Sequence, residues 1–442
     1  MGYTSRQWVD SDIENAIADY TAQQLSHSSD AIYNEILTRI DENRQIHEQD
    51  CINLNPGTNA MNPRAEAVLS QGLGRPSLGY PGDKYEMGLE GIERIEMLAA
   101  GLACEIFQAD YAEIRVPSGA IANLYAFMAT CQPGDTIITP PPTIAGHVTH
   151  HRAGAAGLYG LNILHAPIDA ATYTVDLDAL NALAHEAKPR LITIGGSLNL
   201  NPHPVAEVRA IADTIGAKVL FDAAHLSGII AGNAWENPLA LGAHLMTMST
   251  YKSLGGPAAG LLVTHDAEIA ERVDAIAYPG LTANFDAGNS AALAITLLDW
   301  RDYGQDYASV MVSTAQRLAT ELAERGLPVF QTQNSQHPYT QSHQFALQAT
   351  DYGGGQTWAK RLRQANILSC GIGLPIAPVE DDVNGLRLGT NEVVRWGMTE
   401  ADMPTVADFI LRATQTDSDL AAITAEVAAF RQPFDTMRYV HA

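Results

Sequence analysis

Between residues 111 and 264 the chain alternates short β-rich runs with helical segments. "AEIRVP" is followed by the helical "SGAIANLYAFMATC", and "DTIITP" leads on to "RLITIGG". The helical "AEVRAIADTIG" precedes "KVLFDAAH", and "AHLMTMST" and "AGLLVTH" close the series. Short strands separated by helices imply a parallel or mixed sheet with both faces covered. The pattern predicts an α/β fold with a mostly parallel sheet flanked by helices. Such sheets place their chemistry at the carboxyl ends of the strands.

The flanks read differently. Residues 12–48 are polar, with apolar positions at Ile13, Ala16, Ile17, Tyr20, Leu25, Ile32, Ile36 and Ile40 in helical spacing. They predict an N-terminal helical arm, 1–48. A loop rich in glycine and proline follows, then an amphipathic helix over 89–108. Beyond about residue 290, "NSAALAITLLDWRDYG" and "YASVMVSTAQRLATELAERG" read as two long helices. "PVFQT", "HQFALQA" and "NGLRLGT" read as short strands. The expected organisation is the arm, a large domain over 49–290 and a smaller C-terminal α+β domain over 291–442.

Three strand ends carry chemistry. The chain has five lysines, and Lys252 alone sits in a small, nearly uncharged, glycine-rich segment, "MSTYKSLGGPAAG". It is either a surface lysine at the start of a loop or a buried amine, whose lowered pKa would let it attack a carbonyl. "VPSGAIAN" places Ser118, Gly119 and Ala120 between a strand and a helix, where N–H groups and a hydroxyl make an anion site. "VLFDAAH" ends a strand in Asp222, with His225 three residues on. A carboxylate there suits a protonated heteroaromatic ring. Singly, Asp222 reads equally as a helix cap, Ser118 as a turn residue and His225 as a core histidine. Together the three ends supply an anion cradle, a carboxylate and a lysine, which is what pyridoxal 5'-phosphate requires.

A net charge of −24 argues against a nucleic-acid partner, which needs a basic surface. No apolar run reaches the ~18 residues that span a membrane. The first residues lack the apolar core of a secretion signal, so a cytoplasmic location is expected. Cys51, Cys104, Cys131 and Cys370 form no C-x-x-C pair and are expected to be buried thiols. "HVTHH" at 147–151 is the nearest thing to a metal motif, and no metal is expected.

From about residue 50 to 410 the sequence resembles the serine hydroxymethyltransferase family. "GYPGDKY", "VPSGAIAN", "PGDTIITPPPTIAGHVTH", "KPRLITIGGS", "IADTIGAKVLFDAAHLSGIIAG", "TMSTYKSLGGPAAG" and "GLRLGTNEVVRWG" are similar to that family's motifs, in the same order. The resemblance implies a fold-type I pyridoxal-phosphate enzyme. Lys252 would hold the cofactor covalently and Asp222 its ring nitrogen. His225 would contact the phenolic oxygen with Ser197 nearby, Ser118 and Gly119 would hold phosphate, and Ser249 would assist. Arg387 would clamp the substrate carboxylate, for which a forked guanidinium is shaped. Gly57, Thr58 and Tyr85 would line the substrate site. The resemblance also implies a homodimer or tetramer with active sites between subunits.

The sequence departs from the family at informative places. "GTNAMNP" carries Gly57 and Thr58 where the family has Ser and Glu. Leu78 stands where the folate-dependent enzymes have a catalytic glutamate, Pro76 replaces one tyrosine and Glu86 another. Ile144 falls where a histidine stacks on the cofactor ring; His147 could shift inward, or be an ordinary loop histidine. Tyr251 replaces the histidine before the lysine, and Ala258 the arginine after G-P.

These losses remove folate chemistry and spare cofactor chemistry. The expected activity is folate-independent aldol or retro-aldol reaction of a small β-hydroxy-α-amino acid, such as α-methylserine or a threonine-like substrate. Glu86, His147 or a bound water are the candidates for the proton acceptor. Three other readings stay open. One is folate-dependent transfer from serine, and another is racemisation, decarboxylation or oxidation at Cα. The third is a non-catalytic cofactor-binding protein.

Overall fold

The structure, a computed structural model, describes residues 4–73 and 78–441. Its centre is a seven-stranded sheet. The strands are β1 Tyr111–Val116, β2 Thr136–Thr139, β3 Asn162–His165, β4 Leu191–Gly195, β5 Lys218–Asp222, β6 Leu245–Ser249 and β7 Gly260–Thr264. Their order is β1-β7-β6-β5-β4-β2-β3. Only β7 runs against its neighbours. β4, β6 and β7 are buried at every residue, as expected of strands covered on both faces. The edge strand β3 has no counterpart in the sequence reading, because it is short and half-exposed and lacks the apolar run that marks its neighbours.

Register brings the chemical strand ends together. Asp222 pairs with Gly195 on one side and Thr247 on the other, so β4, β5 and β6 finish side by side. Gly260 opens β7 opposite both Ser249 and Val116, which brings the end of β1 to the same edge.

Helices α1 Ser11–Leu25 and α2 Ser29–Arg44 form the expected arm. Ser28 starts α2 by accepting a hydrogen bond from the Ala31 N–H. Ile13, Tyr20, Leu25, Ile36 and Ile40 of the arm are exposed in the single chain. Helix α3, Glu90–Phe107, buries Ile92, Ala99, Ala103 and Phe107. Helix α4, Gly119–Thr130, buries Ala122, Tyr125, Ala126 and Phe127.

The two long helices expected after residue 290 are one, α5, Ala287–Glu324, of 38 residues. Gly304 looks like a break in the sequence but serves close packing. A Cβ on Gly232 would lie 2.2 Å from the Gly304 carbonyl, so the two backbones touch. The expected division at 290/291 falls inside the first turn of α5. One apolar core runs from Ile114 and Phe221 through Leu297 and Leu318 to Phe345 and Leu388. "PVFQT" forms only a single bridge, Val329 to Leu347, because Pro328 has no N–H with which to extend the ladder. The C-terminal sheet is antiparallel, β8 Gln344–Gln348, β9 Cys370–Ile372 and β10 Gly385–Gly389, in the order β8-β10-β9. Among the described residues no helix is long and apolar enough to cross a membrane.

Candidate active site

Asp222 ends β5 fully buried. It accepts hydrogen bonds from Asn123 Nδ2 at 3.0 Å and from the Ala224 N–H at 3.0 Å, and lies 2.7 Å from His150 Nε2. Burial pushes the carboxyl towards its neutral form, but the hydrogen bond and electrostatic pull of His150, with the Ala224 N–H, outweigh it. The pKa is held well below the usual carboxylate range, and the group stays ionised. Asn123 is itself fixed, its Oδ1 accepting from Thr247 Oγ1 at 2.6 Å.

Lys252 follows β6 and is 7% exposed. Burial lowers its pKa; Asp222 raises it and Arg387 lowers it again, leaving it at about 8. This is the buried amine, not the surface lysine. Ser249, three residues earlier, is buried against the start of α4. An added Cβ on Gly119 would lie 2.1 Å from Ser249 Oγ, so no larger residue fits there undisturbed. Ser118 caps α4, its hydroxyl accepting from the Ile121 N–H at 3.2 Å. Ala120 follows on the exposed side of the first turn.

Arg387 projects from β10. Its Nη1 donates to the Ser197 carbonyl and lies 3.3 Å from His225 Nε2. His225 is buried, and burial, with Lys252 and Arg387 nearby, lowers its pKa far enough to keep it neutral. A guanidinium only donates, so Nε2 accepts and the proton sits on Nδ1, a buried nitrogen with no hydrogen-bond partner among the described residues. Ile144 is buried in a turn, and the next carbonyl, of Ala145, accepts from the Ser197 N–H at 2.9 Å.

The three histidines of "HVTHH" diverge. His147 Nδ1 bonds Thr149 Oγ1 at 2.8 Å, His150 faces Asp222, and His151 Nε2 lies 3.3 Å from the Gly146 carbonyl. Burial pulls the His147 pKa down to about 4. Gly57 and Thr58 lie in a loop held from below. The Gly57 N–H bonds Asn55 Oδ1 at 3.0 Å, and Thr58 Oγ1 accepts from Asn53 Nδ2 at 3.0 Å. Tyr85 and Glu86 are exposed in the single chain, Tyr85 at 71%, apart from the buried cluster of Lys252, Asp222 and Arg387. Leu78 is half-buried, its carbonyl accepting from the Tyr85 N–H at 3.1 Å, and Pro76 lies outside the described residues. Cys51 and Cys131 are buried thiols as expected, whereas Cys104, on helix α3, and Cys370, on strand β9, are half-buried.

The serine hydroxymethyltransferase family model matches residues 27–410. The chain belongs to the serine hydroxymethyltransferase family. Its members are fold-type I pyridoxal-phosphate enzymes acting on small amino acids, and the mostly parallel sheet has that architecture. The chain is an aldolase or hydroxymethyltransferase of this kind. It is 60% identical over 436 residues, 98% of each chain, to an "Alpha-methylserine aldolase" of Variovorax paradoxus. It is 54% identical over 437 residues, 99% of each, to one of a Ralstonia species. A "Serine hydroxymethyltransferase" of Staphylothermus marinus is 36% identical over 395 residues, 89% of each chain.

Sequence reasoning missed His150 and Asn123 at Asp222, and Cys370 and Asn55 at Arg387. His150 carried a signal, as a histidine in a strand-end loop, but one that pointed equally to metal. Asn123 lies on the first turns of α4 among small apolar residues, a polar side chain on an otherwise buried face.

Proposed function

We propose that this enzyme makes and breaks the Cα–Cβ bond of α-methylserine without folate, yielding alanine and formaldehyde in the cleavage direction. Leu78 carries the reading. An apolar side chain occupies the place of the glutamate that folate chemistry uses, while Lys252, Asp222 and Arg387 are all retained. The similarity to α-methylserine aldolases supports the substrate.

The buried residues fit pyridoxal 5'-phosphate. The absence of a side chain at Gly119 lets the Ser249 hydroxyl close on the start of α4, where hydroxyl and N–H donors suit a phosphate. The ionised Asp222 suits a protonated ring nitrogen, and Nδ1 of His225, unpartnered among the described residues, offers a donor. Ser118, Gly119, Ala120 and Ser249 would hold the phosphate, with Ser197 and His225 at the phenolic oxygen and Ile144 over the ring face. When bound, the cofactor stores the electron pair released at Cα. Lys252 supplies the covalent attachment, its amine neutral in a usable fraction because burial lowers its pKa. Arg387 holds the substrate carboxylate and so orients Cα. The β-hydroxyl proton passes to a bound water, because His147 is neutral and its Nδ1 accepts from the Thr149 N–H at 3.3 Å, which puts the ring proton on Nε2 and leaves that nitrogen a donor. Tyr85, Glu86 and the exposed apolar residues of the arm support assembly as a homodimer, in which Gly57, Thr58 and a second copy's Tyr85 and Glu86 complete the substrate site.

Serine and α-methylserine cleavage, with and without tetrahydrofolate and with formaldehyde trapped chemically, tests the proposal. Faster cleavage of α-methylserine, unchanged by folate, is expected. Strict folate dependence with serine preferred would overturn it.

A further inference from the structure

Cys370 and Arg387 are paired across β9 and β10 in register. Opposed residues in a sheet share a face, and here the side chains meet. Arg387 Nε lies 3.3 Å and Nη2 3.1 Å from Cys370 Sγ, so one sulfur closes the side edge of the fork as a carboxylate oxygen would. The thiol in turn donates to Asn55 Oδ1 at 3.2 Å, the same oxygen that accepts the Gly57 N–H. Cys370 therefore ties the guanidinium to the loop of Gly57 and Thr58.

Counting donors shows what this does. A guanidinium has five N–H groups. Two point at Cys370, one at the Ser197 carbonyl and one at His225 Nε2, which leaves a single N–H, on Nη2, without a partner among the described residues. The side edge is taken, and the end edge is where an incoming anion meets a free donor.

We propose that Cys370 is a positioning residue that closes the side edge of Arg387 and forces the substrate carboxylate to dock end-on, fixing the rotation of Cα. This rests on Arg387 being the carboxylate clamp. Without the sulfur, a carboxylate can take the side edge, and the bond to be broken turns away from its productive direction. Misplacement by about 1 Å costs up to ~10²-fold in rate.

The test uses the holoenzyme and the variants Cys370→Ala, Cys370→Val, Cys370→Ser and Arg387→Lys. It measures kcat and KM for α-methylserine, and the dissociation constants of alanine and alaninamide by spectral titration. Val keeps the packing volume without the hydrogen bonds, so a poorly folding Ala variant does not end the test. For Ala and Val, kcat is expected to fall about tenfold with KM within about threefold. Preference for alanine over alaninamide is expected to change by about fivefold or more, the scale of one hydrogen bond. Cys370→Ser, which still donates and accepts, is expected to restore both. An unchanged kcat and unchanged preference in Ala and Val would overturn the proposal while leaving Arg387 as the clamp. If Arg387→Lys itself leaves the alanine preference unchanged, the clamp reading falls and this proposal with it.

Discussion

His150 Nε2 and Asp222 Oδ2 lie 2.7 Å apart with both side chains shut away from solvent. Asp222 thus receives three donors in a dry site, which both fixes and ionises it. Asp222→Asn is expected to lower kcat by about 10²–10³-fold, the scale of losing one preorganised electrostatic group. His150→Asn is expected to cost roughly tenfold, since its amide can still donate. Steady-state kinetics at saturating substrate, with far-UV circular dichroism to show an unchanged fold, checks both; a fully active Asp222→Asn would remove the ring-nitrogen role.

Lys252 predicts a pH profile for cofactor uptake. The neutral amine attacks, and its fraction rises tenfold per pH unit below a pKa of about 8. Attachment of pyridoxal 5'-phosphate to apoenzyme, followed by absorbance, is expected to accelerate from pH 6 to 8 and level off above. A flat profile over that range would contradict a titrating lysine. Borohydride reduction and peptide mapping are expected to label Lys252 and none of the other four lysines.

Leu78 can be tested by restoring what it lacks. Leu78→Glu is expected to gain folate-stimulated cleavage of serine, because a positioned acid or base contributes about 10²–10⁴-fold. An initial-rate assay with and without tetrahydrofolate reads this directly, and α-methylserine cleavage serves as the internal reference. Absence of any folate response would mean that Leu78 is not what withholds folate chemistry.

Glu392 predicts a pH-dependent stability. It is buried next to Asn53, and burial raises its pKa to about 7, opposed by the Asn53 hydrogen bond and Arg431. The folded state therefore keeps a proton that the unfolded chain releases near pH 4.3. The resulting stability is complete below that value and is lost as pH rises to about 7, by about 1.4 kcal/mol per pH unit from this group alone. Glu392→Gln removes the dependence, so its stability relative to the parent protein is expected to rise between pH 5 and 7. Denaturant midpoints at both pH values measure it; parallel curves would show that Glu392 stays ionised.

Much of this site could be read from local sequence because local rules placed it. Asp222, Lys252 and Ser118 each follow or end an apolar strand; parallel register puts the ends of β5 and β6 at one edge, and the antiparallel β7 between β6 and β1 brings the end of β1 to the same edge. His150 and Cys370 were not legible in the same way. His150 meets Asp222 from 72 residues away, and the meeting depends on how one irregular loop folds over α4. Cys370 opposes Arg387 only through the pairing of β9 with β10. Gly304 misled for a related reason: a glycine that ends a helix and one that admits a neighbouring backbone look alike until the neighbour, Gly232, is known.

The continuity of α5 has a mechanical consequence. At 1.5 Å per residue its 38 residues make a rod about 57 Å long. It packs against α3 at one end and against Met403–Thr414 towards the other. Bending it at residue 290 would break its own hydrogen-bond ladder and the core packed along it. Any motion that opens the active site must therefore leave the rod intact, either by shifting loops such as the one holding Gly57 and Thr58 or by sliding one copy against another. A protease that cuts exposed linkers is expected to spare residues 287–324.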